Sequence, residues 1–99
     1  DKPQYIEYLY ACTIRVQALF ELYLTQTRKG EQSKTIRNIT TQLGQLDLFC
    51  DQLAIECFAH QAIQGKIERL RVVIHSLSAK TNLRRKAFLE SMGYTPKSK

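Results

Sequence analysis

Ninety-nine residues with 43% apolar content, four glycines and two prolines describe one domain, able to bury a core of its own and too poor in turn residues for a sheet protein. The net charge is +6, and the three cysteines, an odd number without a dense disulfide pattern, favour a reducing, cytoplasmic setting. The most apolar stretch, residues 5–24, is interrupted by Glu7, Arg15 and Glu21, so it does not read as a membrane span.

The chain opens on Asp1 rather than methionine, which reads as a trimmed or excised domain from which any targeting signal would have been cut away. From Pro3 to Lys29 the periodicity is helical. Pro3 suits a first turn and Asp1 a cap. Tyr5, Leu9, Cys12, Val16, Leu19 and Tyr23 recur at alternating spacings of four and three and form one face. Further apolar residues, among them Tyr8, Tyr10, Leu22 and Leu24, leave only a narrow polar stripe. A helix so apolar packs between two neighbours or feeds an interface with another chain. Gly30 is its expected stop.

The second helix is expected to begin near Ser33, a suitable cap. Its seam is Ile36, Ile39, Leu43, Leu46, Cys50, Leu53 and Cys57, spaced by three and four throughout, the period of knobs-into-holes packing. Gly44 interrupts this helix at about 1 kcal/mol relative to alanine, and close approach of a neighbouring helix would explain it.

The third helix carries Ile63, Ile67, Leu70, Ile74 and Leu77 in the same rhythm. A polar stretch, SAKTN at residues 78–82, follows before Phe88 and Met92 return to that face. Gly93, with Pro96 beyond, marks the end. Three blocks of about 27 residues, each about 40 Å long as a helix, predict an all-α antiparallel three-helix bundle. A break at SAKTN would make it four helices.

Catalytic chemistry finds little support. Cys50, Cys57 and His60 fall on one seam, and antiparallel pairing about a turn near residue 31 would set Cys12 opposite Cys50. A zinc site fails on spacing, because Cys50 and Cys57 lie about 10 Å apart along the axis. A Cys12–Cys50 disulfide or redox pair is the sharper alternative to packing as small hydrophobes, which is the expectation. His60 and His75 lack an obvious carboxylate partner, and Asp47, Asp51 and Glu56 read as the solvated side of the second helix. The glycines are isolated and form no phosphate loop. Neither enzyme activity nor a cofactor, metal or small-molecule substrate is expected.

The charge is asymmetric. Residues 1–59 sum to −1, whereas residues 60–99 hold nine basic groups against Glu68 and Glu90. On a continuous third helix Lys66, Arg69, Lys80 and Arg84 project within about 60° of one another. Arg85, Lys86, Lys97 and Lys99 extend the stripe. Such a stripe fits a nucleic-acid backbone or an acidic protein surface. SAKTN before LRRKAFLESMG has the length of a helix-turn-helix but lacks its glycine. Two readings follow. The first is a nucleic-acid-binding helical module using Lys66, Arg69, Lys80, Arg84, Arg85 and Lys86. The alternative is a scaffold or adaptor domain, possible homodimer included, with Tyr8, Tyr10, Leu22 and Leu24 at a protein interface.

Overall fold

The computed structural model describes residues 2–94, with side chains from Gln4 onward. Three helices run in chain order: α1 (Lys2–Thr25), α2 (Lys29–Glu56) and α3 (Gln61–Ser91). Each packs against both others, giving the expected all-α three-helix bundle, 49 × 33 × 15 Å in extent. No strand occurs among the described residues.

The core is one continuous seam. All seven expected residues of the second seam are buried, six from α2, Ile36 to Leu53, and Cys57 at its C-cap. From α3 the core takes Ile67, Leu70, Ile74, Leu77 and Phe88, with Ile63 packed at its edge. Met92 does not join them; it is half exposed just past the helix end. In α1 the buried line is Ile6, Leu9, Thr13, Val16 and Tyr23, with Phe20 packed against it. The expected line shared only Leu9, Val16 and Tyr23 with it. Tyr5 is 52% exposed, and Cys12 and Leu19 are half-buried. Thr13, a polar residue on the buried line, donates its hydroxyl to the Leu9 carbonyl at 2.8 Å. That bond removes the cost of burying it.

Helix boundaries differ from expectation where tertiary contacts outweigh local signals. The chain reverses at residues 26–28, so Gly30 lies inside α2 and does not stop α1. Arg28, not Ser33, is the cap residue, and it provides no side-chain cap bond. The extra turn of α2 carries Lys29 to α3, where its Nζ donates to Ser91 Oγ at 2.7 Å and lies 5.4 Å from the Phe88 ring centroid. Gln32 Nε2 in turn donates to the Gln26 carbonyl at 2.7 Å, closing the turn.

At the α2–α3 turn, Gln64 reaches back and donates to the Ala54 and Cys57 carbonyls at 2.9 and 2.8 Å. These are carbonyls that a helix C-terminus leaves without intrahelical partners. The far end of α3 closes on Gly93 at φ +91°. Tyr94 N–H donates to the Leu89 carbonyl and Gly93 N–H to that of Glu90, the paired bonds of a left-handed glycine cap. Pro96 lies outside the described residues. SAKTN causes no break: α3 is continuous through it, so the four-helix alternative is not formed. Thr81 sits on the seam four residues after Leu77 and is 2% exposed.

Candidate functional site

Continuity of α3 decides the geometry of the basic residues. Lys66, Arg69, Lys80 and Arg84 are all exposed and fall on one strip of a single continuous helix. Eighteen residues separate its ends, about 27 Å of helix rise. Glu68 projects about 100° round the helix from the near edge of the strip and Glu90 about 60°. None of the four cations has an ion-pair partner among the described residues. Arg85 and Lys86 are exposed too, but step about 100° and 200° away from Arg84. They widen the basic surface without lengthening the strip. Lys97 and Lys99 lie outside the described residues.

The four expected interface residues of α1 are exposed, but they do not form one patch. Tyr8 and Leu22 share one flank; Tyr10 and Leu24 share another, about 160° round the helix. The more coherent apolar feature is a groove between α1 and α2. One section, of about 630 Å³, is lined by Tyr5, Tyr8, Leu9, Phe49 and Leu53 among others. A second, of about 420 Å³, continues past Tyr8 and Phe49 to Cys12, Arg15 and Gln42. Sequence reasoning missed Phe49. Its signal was the polar ladder Gln42, Gln45, Phe49, Gln52, Glu56, a second stripe at helical spacing beside the seam.

Polar side-chain contacts between α2 and α3 were also missed. Arg71 pairs with Asp51, and His75 Nε2 lies 3.3 Å from Asp47 Oδ1. Both partners repeat at a spacing of four, so two helices running in opposite directions bring the pairs into register. His75 therefore does have a carboxylate partner, and the two aspartates are not simply solvated. The Asp51 and Asp47 side chains are 56% and 46% exposed, so these pairs contribute little to stability, on the order of 1 kcal/mol or less each.

The cysteines lie in or against the core. Cys50 and Cys57 are buried in the seam, Cys12 is half-buried, and all three are free thiols. The turn near residue 27 shifts the register, so Cys12 faces the Gln42–Leu46 region of α2 instead of Cys50. His60 is exposed at the start of α3 and does not continue the cysteine face. Burial raises the Cys50 thiol above its ordinary pKa, and the neighbouring Arg71 guanidinium offsets part of that rise. Among the described residues no three His, Cys, Asp or Glu side chains gather to hold a metal ion. No helix there is long and apolar enough to cross a membrane.

Comparison with family models, curated proteins and solved structures found no match.

Proposed function

We propose that this chain is a non-enzymatic helical binding module that engages a nucleic-acid backbone through α3. One observation carries the reading. Four cations stand along about 27 Å of one exposed helical strip, without ion-pair partners among the described residues. Phosphates repeat about every 3.4 Å along a DNA strand, so a strip of this length can meet several of them. The residues between the cations on that strip, Val73 and Ser76, are not aromatic. That favours contact with a duplex backbone over stacking on single strands. The three free thiols fit a reducing, cytoplasmic setting.

The test is binding to labelled duplex across a salt series. Four phosphate contacts give a log–log slope of about −3.6. Changing Lys66, Arg69, Lys80 and Arg84 together to glutamate should abolish binding while the circular dichroism spectrum stays helical. Binding that survives the four changes would remove the strip from consideration.

Self-association is the second reading, and the α1–α2 groove supports it. The ionised residues in its lining are Arg15 and Glu56, so a second copy of this +6 chain meets least repulsion there. Sedimentation at high concentration decides it, since a monomer at all concentrations rules out the dimer.

A further inference from the structure

One face of α3 is left without a partner. Val72 and Leu83 are 68% and 71% exposed, and Ala79 between them is exposed as well. At about 100° per residue the three project within about 40° of one another, opposite the buried seam of Ile67, Ile74 and Thr81. This apolar stripe has charges on both flanks. On one flank runs the basic strip. On the other lie Glu68 and Lys86, in line with each other because they are five full turns apart. Both are exposed, and neither has an ion-pair partner among the described residues.

These positions fit a second copy of the helix laid antiparallel. In a symmetric pair, each contact between two residues occurs twice. Setting Val72 against Leu83 of the second copy also sets Glu68 against its Lys86, because both residue pairs are centred on the same point of α3 to within half a residue. Ser76 then meets Ala79, two small side chains that allow the axes to close to the about 8–10 Å of packed helices. Glu90, at the end of the stripe, falls opposite Gly65. A parallel copy would instead set Glu68 on Glu68 and Lys86 on Lys86.

The two-fold axis of such a pair runs at right angles to both helices, through the gap between them. Side chains on one flank of the stripe therefore come to the same face of the pair in both copies. The two basic strips lie side by side on one face, and the contacts of Glu68 with Lys86 lie on the opposite face. Eight cations replace four, on a surface whose symmetry matches that of an antiparallel duplex. We propose that two copies bind a duplex together, joined antiparallel along α3 through Val72, Ala79 and Leu83. This pairing presupposes that the strip binds phosphates, and so rests on the nucleic-acid reading. Two large apolar side chains per copy fall short of the about 1,200 Å² that a standing dimer buries, and the adjacent strips repel each other. Phosphates remove that repulsion, so the pair forms on the duplex and not free in solution.

The experiment is a titration of a labelled DNA duplex of about 12 base pairs, about 41 Å long, with sedimentation velocity to count the chains bound. Two chains per duplex are expected, the second binding about tenfold tighter than the first. The log–log salt slope for the pair should be about −7, for eight phosphate contacts. Glu68→Lys adds a positive charge, which by phosphate attraction alone tightens binding. In the pair it sets lysine against Lys86 and should abolish the advantage of the second copy. Combining Glu68→Lys with Lys86→Glu restores opposite charges and should recover it. Leu83→Glu, at an exposed helix position, should leave the chains binding one at a time, with circular dichroism still helical. Independent binding by the parent chain, an advantage that survives Glu68→Lys or Leu83→Glu, or a double change that fails to recover it would each overturn the pairing and leave the strip as a phosphate site. No binding to the duplex at low salt would overturn both.

Discussion

Thr81→Val tests how this bundle tolerates a polar residue in its core. Valine has nearly the shape of threonine and a similar helix propensity, so the swap isolates the hydroxyl. At 2% exposure and without a partner, that hydroxyl carries an unrecovered desolvation cost of about 1–3 kcal/mol. The replacement methyl adds about 0.8 kcal/mol if fully buried. Because Thr81 borders an open cleft, only part of both terms is realised, and a gain of about 1–2 kcal/mol is expected. For a domain of this size each kcal/mol moves the thermal midpoint by about 4–8 °C. Thr13→Val is the internal control. Thr13 is 3% exposed, but its hydroxyl is bonded to the Leu9 carbonyl at 2.8 Å, so its replacement should change stability by less than about 0.5 kcal/mol. Thermal and urea unfolding of both variants measure the contrast. If Thr81→Val destabilises, or matches Thr13→Val, the orphaned hydroxyl is not a cost in solution and the reasoning fails.

Three further outcomes are expected. Gly44→Ala should stabilise the fold by about 1 kcal/mol in urea unfolding, since the added Cβ meets no neighbour and only helix propensity changes. Ile39→Ala, at a fully buried seam position, should cost about 2–5 kcal/mol, enough to unfold a marginal domain; a loss below 1 kcal/mol would place Ile39 outside the packed core. The Cys50 thiol, raised by burial, predicts a loss of stability on the alkaline side. Below its ordinary value of 9.0 both folded and unfolded chains keep the proton. As pH rises above that value the unfolded chain releases it first, and stability falls by at most about 1.4 kcal/mol per pH unit. Urea unfolding between pH 7 and 10 should show a shallower decline in Cys50→Ala than in the parent chain.

How much of this could be read beforehand differs from helix to helix. The α2 seam was legible throughout, because one apolar stripe set against polar residues leaves a single way to face the core. In α1 apolar residues occupy most of the circumference, so several stripes were equally plausible by sequence. Packing against two partners chose the one containing Ile6 and Thr13 and turned Tyr5 outward to the groove. The basic strip on α3 was legible by position, yet its collinearity depended on whether SAKTN breaks the helix. Thr81 holds the seam spacing there in spite of its polarity. The split of Tyr8 and Leu22 from Tyr10 and Leu24 was also present in the spacing, although apolar composition obscured it.

The sequence by itself determined the helical class, the number of blocks and most of the core, since hydrophobic period is a property of neighbours three and four residues apart. Tertiary structure decided what depends on distant neighbours. Lys29 finds Ser91 and Phe88 across 62 and 59 residues, and so α2 begins a turn earlier than Ser33 would have it. The register of the first turn parts Cys12 from Cys50, and that of the second aligns Asp47 with His75 and Asp51 with Arg71. Gly44 on one helix and the polar stretch at residues 78–82 on another border one cleft for the same reason, because packing sets them opposite each other.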